Sequence, residues 1–172
     1  MIFASVGSST IPFDRLVRAL EGVETDEDLV VQTGVSTVRP GRAKVLDYLG
    51  YDEFVALIRS ARVVVTHAGA GSVITALGEG KRPIVVPRRA AEREAVDDHQ
   101  VTFARRAAEL GLVTVVEDVS LLAAALRDHE PSLARSGSEP SPIERELRSY
   151  IERCVGPARS TRREQARHKQ SG

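Results

Sequence analysis

The sequence is poor in the residues that several functional classes require. Among 172 residues there is one cysteine, Cys154, no tryptophan, and an aromatic content of only 4%. One cysteine excludes an internal disulfide and a zinc site built on CxxC pairs, and we expect Cys154 to lie buried or half-buried on a helix. Few rings argue against a base-stacking platform. Because 24 Lys and Arg balance 24 Asp and Glu, no overall field attracts nucleic acid.

Long hydrophobic runs are also missing. No apolar run approaches the roughly 18 residues of a membrane span. The first ten residues lack the basic start and the apolar core of a signal peptide. We therefore expect a cytoplasmic protein that meets a membrane only through a partner or a surface.

Short apolar runs alternate with longer amphipathic stretches. Strands are predicted at 2–6, 29–32, 45–48, 62–66, 83–87 and 112–116, and helices at 13–20, 52–60, 72–79, 97–110 and 119–129. Apolar strands separated by helices predict an α/β fold, a Rossmann-like parallel sheet with helices on both faces. Ligands of such sheets bind at the carboxyl ends of the strands.

The composition changes after this alternating region. We predict one nucleotide-binding domain over 1–130, a Ser- and Pro-rich linker over 131–142 and a helix over 143–155. Residues 156–172 are basic and almost free of apolar side chains, which predicts a disordered tail. Binding of that tail to an anionic membrane surface is the alternative.

The strongest local signal is a small-residue loop that follows a β-branched strand and opens a helix. The loop runs His67-Ala68-Gly69-Ala70-Gly71-Ser72. Its amides could approach phosphate oxygens closely beside a helix N-terminus, and Ser72 could cap the helix or donate to a phosphate. A tight turn with a capping serine explains the spacing equally well. Ile74 stands where a dinucleotide-binding fingerprint has its third glycine, which argues against binding of a nicotinamide cofactor.

Two further loops belong to the same predicted edge. One, 7–10, contains Gly7 and Ser8, and two such loops on one edge suit a diphosphate better than a single phosphate. The other begins with Arg88 and Arg89, which could neutralise a phosphate or a sugar carboxylate, and reaches 97–100. An ordinary turn at 7–10, and helix capping by Asp97 or Asp98, are the alternatives.

Together these motifs resemble the C-terminal domain of glycosyltransferase family 28. The residues that carry the resemblance are His67–Ser72, Gly80–Pro87 and Asp98-His99-Gln100, in that order. The likeness covers about 1–130. It is greatest to PssE-like small subunits of bacterial exopolysaccharide glycosyltransferases and to the catalytic subunit of the eukaryotic dolichol-linked GlcNAc transferase. The resemblance implies the donor-binding domain of a GT-B glycosyltransferase.

The resemblance also implies roles for individual residues. It assigns the donor diphosphate to Gly7, Ser8, His67, Gly69, Ala70, Gly71 and Ser72. It assigns the uracil region to Leu49, Gly50 and Tyr51, and the donor sugar to Asp98, His99 and Gln100, near Arg88 and Arg89. Gln32-Thr33-Gly34 matches an element near the cleft. Thr75 stands where some members carry an acidic ribose ligand, a departure from the family pattern.

The implied reaction is inverting transfer of a hexose-type sugar from a UDP-sugar, with no metal or redox cofactor. A membrane-anchored partner subunit would bind the acceptor at the inner face of the membrane. No general base is evident, since His67 belongs to the donor side and His99 to the sugar motif. A non-catalytic subunit and an epimerase-like enzyme are the alternatives, and the second would need two domains in a longer chain.

Overall fold

The computed structural model describes residues 1–129 together with Arg145 and Ser149. The predicted linker at 131–142 and tail at 156–172, and the predicted helix at 143–155 apart from those two residues, lie outside the described residues. Cys154 lies outside them as well.

Strands and helices alternate as the sequence predicts. The strands are β1 (Ile2–Ser5), β2 (Leu29–Gln32), β3 (Lys44–Leu46), β4 (Val63–His67), β5 (Ile84–Val86) and β6 (Thr114–Val115). The helices are α1 (Asp14–Glu21), α2 (Tyr51–Ser60), α3 (Ala70–Gly78), α4 (His99–Glu109) and α5 (Leu122–Asp128). A 3₁₀ turn, Val119–Leu121, replaces the first turn predicted for the last helix, because the Asp118 carboxylate accepts from Ser120 N at 2.9 Å.

The start of α3 differs from the prediction in a way that matters for the site. The helix begins at Ala70 and its N-cap is Gly69, so Ser72 lies within the first turn and does not cap it. The small residues before Ser72 obscure this start, since glycine is a poor predictor of helix.

All six strands are parallel, in the order β3-β2-β1-β4-β5-β6. The chain winds outward from β1 to β3, returns to β4 on the other side of β1, and then winds outward again. In this arrangement a crevice opens between the carboxyl ends of the two central strands, and ligands bind there. The topology therefore directs attention to the loops after β1 and β4.

Both faces of the sheet are covered, as predicted. Ala4 and Val65 face α1 and α5, while the neighbouring residues Phe3 and Val64 face the side covered by α2 and α3. Strand residues alternate between faces because their side chains have a period of two. Within the described residues, no helix is both long and apolar enough to span a lipid bilayer.

Candidate functional site

The imidazole of His67 lies between two glycines at the carboxyl ends of β1 and β4. A Cβ atom added to Gly7 would lie 2.4 Å from His67 Cε1, and one added to Gly69 would lie 2.1 Å from His67 Nε2. Both distances are far below van der Waals contact. Gly7 also has a φ of +81°, which disfavours other residues. The structure thus brings together Gly7, His67 and Gly69, which the sequence assigned to one ligand group.

The N-terminus of α3 begins immediately beside this ring. The first amides of a helix have no acceptor within the helix, and here they belong to Ala70, Gly71 and Ser72. Val73 N is the first to bond back, to Gly69 O at 3.2 Å. Gly71 is exposed, and a Cβ atom there would meet nothing within 4 Å. Partial positive charge therefore accumulates at an accessible point next to His67.

The His67 ring is neutral near pH 7. Burial lowers its pKa to about 4, the positive charge of Arg88 adds to the shift, and a hydrogen bond with the Ser5 backbone opposes it in part. Its Nδ1 lies 3.3 Å from Thr66 Oγ1. A neutral imidazole has a single N–H group, so the ring can donate to an anion only in the tautomer whose N–H faces the anion, and positive charge at the site comes from other groups.

Gln32 ties the first glycine loop to its neighbour. Its Oε1 accepts from Ser5 Oγ at 2.7 Å and from Gly7 N at 3.2 Å. Its Nε2 donates to Gly7 O at 3.1 Å and to Asp47 O at 2.9 Å. Since the residue is only 4% exposed, these bonds form within the fold and fix the loop that faces His67.

The residues predicted to lie near uracil surround the start of α2. Gly50 is the N-cap, and its amide donates to Glu53 Oε2 at 3.1 Å. Leu49 is half-buried and packs against the core under α2, whereas Tyr51 is 71% exposed. Ser8, on the loop after β1, is also exposed. These positions lie at the carboxyl edge of the sheet, on the β1 to β3 side.

Thr75 occupies the second turn of α3, with its Oγ1 donating to Gly71 O at 2.8 Å. Glu79, one turn further on, forms a two-point ion pair with Arg59 at 2.6 and 3.0 Å. The acid nearest to the ribose position is thus already paired with another side chain.

Arg88 and Arg89 have different environments. Arg88 is 2% exposed, and its guanidinium donates to the carbonyl oxygens of Val6, Ile11, Pro12 and Glu94. Arg88 therefore binds backbone carbonyls inside the fold, whereas its position after a strand suggested an exposed ligand for a phosphate or a sugar carboxylate. Arg89 is half-exposed, and its Nη2 lies 3.0 Å from Glu117 Oε2.

The Asp98-His99-Gln100 segment lies at the start of α4 and, like the Arg88-Arg89 pair, contains both buried and exposed side chains. Asp98 and His99 are exposed, while Gln100 is 8% exposed and its Oε1 accepts from Arg88 N at 3.2 Å. Asp98 is the N-cap by position, yet its Oδ1 accepts from Ala90 N at 2.9 Å and not from the helix. The Asp97 carboxylate accepts from His99 N at 3.0 Å and pairs with His99 Nδ1.

A sequence model described as "Glycosyltransferase family 28 C-terminal domain" matches residues 1–149. The chain belongs to this family.

Individual relatives agree with this assignment. UDP-N-acetylglucosamine transferase subunit ALG13 of Yarrowia lipolytica (strain CLIB 122 / E 150) is 29% identical over 120 residues, with 60% of this chain and 59% of that protein covered. Two solved structures share the fold. They are the glycotransferase of kitacinnamycin (TM-score 0.60, 24% identity, 87% of this chain and 39% of that chain) and CalG4, the calicheamicin glycosyltransferase (TM-score 0.56, 18% identity, 90% and 39%). The chain thus spans about three fifths of the curated relative and two fifths of the solved chains.

Two buried polar residues beside the candidate site make contacts that sequence patterns did not reveal. Gln32 was noted only as part of a segment near the cleft, although a polar residue at the end of a buried strand is a signal in itself. Glu94 was not singled out at all. Its side chain is 6% exposed and binds Arg15 at 2.8 Å, a contact across 79 residues that no local pattern predicts.

Proposed function

We propose that this chain is the donor-binding, catalytic subunit of a split GT-B glycosyltransferase that uses a UDP-sugar. The observation that carries the proposal is the His67 ring, fixed between Gly7 and Gly69 beside the N-terminus of α3. Glycine loops allow close approach of backbone amides to a diphosphate, and the helix N-terminus favours its negative charge.

The roles of the residues follow from their places at the sheet edge. The proposed diphosphate site consists of Gly7, Ser8, His67, Gly69, Ala70, Gly71 and Ser72. Gly7 contributes space for the His67 ring, because its amide already donates to Gln32 Oε1. Leu49, Gly50 and Tyr51 are proposed to lie by the uracil and Thr75 by the ribose. Asp98, His99 and Arg89 are the proposed sugar contacts, while Gln100 and Arg88 support the loop from inside.

The name of a relative supports the UDP-sugar donor and the division into subunits. The relative is called a UDP-N-acetylglucosamine transferase subunit, which favours a UDP-linked hexose-type donor and a partner for this chain. We propose a membrane-anchored partner that binds a lipid-linked or polysaccharide acceptor in exopolysaccharide or cell-surface glycan synthesis. The chain would then act in the cytoplasm, held peripherally at the inner face of the membrane.

In the proposed mechanism, this domain stabilises the leaving group. Negative charge that develops on the departing UDP meets the first amides of α3 and a neutral donor, His67. Because these groups are fixed before the reaction, little reorganisation is needed. The proposed inverting reaction requires a general base near the acceptor hydroxyl, which we place on the partner, and it requires no redox cofactor.

The test combines binding and turnover. UDP should bind the purified chain in isothermal titration calorimetry, and His67→Ala should weaken that binding, whereas Arg59→Met, on an exposed ion pair between α2 and α3, should not. The chain alone should transfer little sugar, and transfer should appear when the partner is added. Strong transfer by the single chain would refute the split enzyme, and the absence of UDP binding would refute the donor role.

A non-catalytic stabilising subunit is the second candidate, favoured by Thr75. Its hydroxyl bonds Gly71 O and it replaces the acidic ribose ligand that some members carry. If this reading is right, His67→Ala in the assembled complex should leave turnover unchanged. A loss of kcat without loss of complex formation would exclude it.

A further inference from the structure

The Arg88 guanidinium joins two loops that are far apart in sequence. Its Nη2 donates to Val6 O at 2.8 Å, and its Nη1 donates to Ile11 O at 2.8 Å and Pro12 O at 3.2 Å, all on the loop after β1. Its Nη1 also donates to Glu94 O at 3.1 Å, on the loop after β5. One side chain thus fixes the backbone on both sides of the candidate site.

An aromatic ring completes the environment of this guanidinium. Its central carbon lies 4.6 Å from the centroid of Phe13, a residue with no exposed surface. A cation over a ring is held most strongly where water is excluded. Within the described residues, Arg88 Nε is buried without a hydrogen-bond partner.

The charges around Arg88 do not cancel. The Glu94 carboxylate is paired with Arg15 at 2.8 and 2.9 Å and accepts from Arg89 N at 3.2 Å. The hydrogen bond from Arg88 goes to the backbone carbonyl of Glu94, while the carboxylate acts on Arg88 through its charge. In the cluster of Arg15, Arg88 and Glu94, two guanidinium groups and one carboxylate leave one net positive charge, and an arginine does not release its proton in proteins.

A strained turn places Glu94 so that its carboxylate pairs with Arg15 and its carbonyl accepts from Arg88. Arg93 has a φ of 57°, a value that few non-glycine residues adopt. Directly after it, Glu94 N donates to Arg89 O at 3.1 Å, which closes the turn. Such strain persists only where surrounding contacts enforce it, and here these are the bonds to Arg15 and Arg88.

We propose that Arg88 is a positioning residue for the phosphates of a nucleoside diphosphate. It holds the loop after β1, which contains Gly7, and the loop after β5, which contains Asp98, in place around His67. It also places a buried positive charge beneath these loops. This inference rests on the proposed donor-binding function and deepens it. Arg88 acts through the loops and does not touch the ligand.

The experiment compares UDP with uridine, which lacks phosphates, on Arg88→Met and Arg88→Lys. Arg88→Met should raise the Kd for UDP at least tenfold and leave the Kd for uridine, measured by NMR titration, unchanged. Arg88→Lys keeps the charge without the planar fork and should fall between. The His67 ring should titrate above its wild-type pKa of about 4 in Arg88→Met. Arg59→Met is the matched control and should leave the Kd values for both ligands unchanged.

The proposal would be overturned if Arg88→Met raised the Kd values for UDP and uridine equally. It would also be overturned if folded Arg88→Met bound UDP with the Kd of the wild type. If both Arg88 variants fail to fold, Phe13→Leu removes the supporting ring, and the same selective loss of UDP is expected. Amide hydrogen exchange of residues 6–12 gives a second readout, which should be faster in Arg88→Lys. If the wild-type chain binds no UDP, the donor function fails, while unchanged exchange in Arg88→Lys would refute the clamp separately.

Discussion

The sharpest prediction concerns Gly69→Ala, a change of one methyl group at the centre of the site. The added Cβ would lie 2.1 Å from His67 Nε2, and 2.8 and 2.9 Å from Cδ2 and Cε1 of the same ring. The ring must therefore move. It also packs against Gly7, where a Cβ would meet Cε1 at 2.4 Å, so little free space is available for that movement. Overpacking of this kind costs about 1–3 kcal/mol.

The displaced ring should affect ligand binding as well as folding. If His67 leaves its place, the proposed diphosphate site loses one ligand and the approach to the α3 amides narrows. We expect the Kd for UDP to rise about tenfold or more, equivalent to at least about 1.4 kcal/mol. Isothermal titration calorimetry gives the Kd, and urea denaturation of the same samples gives the free energy of unfolding.

The matched control is Gly78→Ala at the other end of the same helix. A Cβ atom there would meet nothing within 4 Å, so both UDP affinity and stability should be preserved. The double variant Gly69→Ala/His67→Ala removes the clash and should recover the stability lost in Gly69→Ala, without recovering UDP affinity. A Gly69→Ala protein that binds UDP as the wild type does would refute the packing argument.

Two further predictions follow from His67 and Gln32. Because the pKa of His67 is about 4 in the folded chain and 6.5 for an unperturbed histidine, the unfolded chain binds the proton first as the pH falls. His67 should therefore reduce stability as the pH falls from about 6.5 to 4, by at most about 3 kcal/mol, and have no effect above that window. Urea denaturation of wild type and His67→Ala at pH 7 and pH 5 checks this. An equal loss of unfolding free energy in the two proteins between these pH values would contradict it. Gln32→Ala removes the bonds to Gly7 and Asp47 and should cost about 1–3 kcal/mol in urea denaturation and weaken UDP binding. Gln32→Glu would place a buried carboxylate oxygen against the carbonyl oxygens of Gly7 and Asp47, so near neutral pH it should cost at least as much stability as Gln32→Ala.

The fold could be predicted from the sequence because its signals are local. Runs such as Val63-Val64-Val65 have the β-branched composition of a buried strand, and Gly and Pro mark most of the breaks. The start of α3 was misplaced because Gly69 and Gly71 give no helical signal. The clustering of Gly7 with His67 was predictable in outline, since loops after parallel strands share one edge of the sheet.

The internal contacts of the site could not be predicted in this way. Arg88 follows a strand as an exposed phosphate ligand would, and its burial depends on Phe13 and on carbonyls up to 82 residues away. Such an environment exists only after the chain has folded. The same holds for Glu94, whose carboxylate is placed by a turn at Arg93 that the sequence does not mark.

In the proposed diphosphate site, Arg88 and His67 together would attract an anion without a titrating group. A histidine with its ordinary pKa would gain and lose charge within the physiological range. Here the pKa of His67 is lowered by burial and by Arg88, so the ring stays neutral and the positive charge stays on a group that does not titrate. Above about pH 6, the protein's contribution to UDP affinity should therefore be constant, and any pH dependence should follow the second ionisation of the UDP phosphate. A pH-dependent affinity in wild type that disappears in His67→Ala would show that His67 carries charge in the complex, so that His67, and not Arg88, would supply the positive charge.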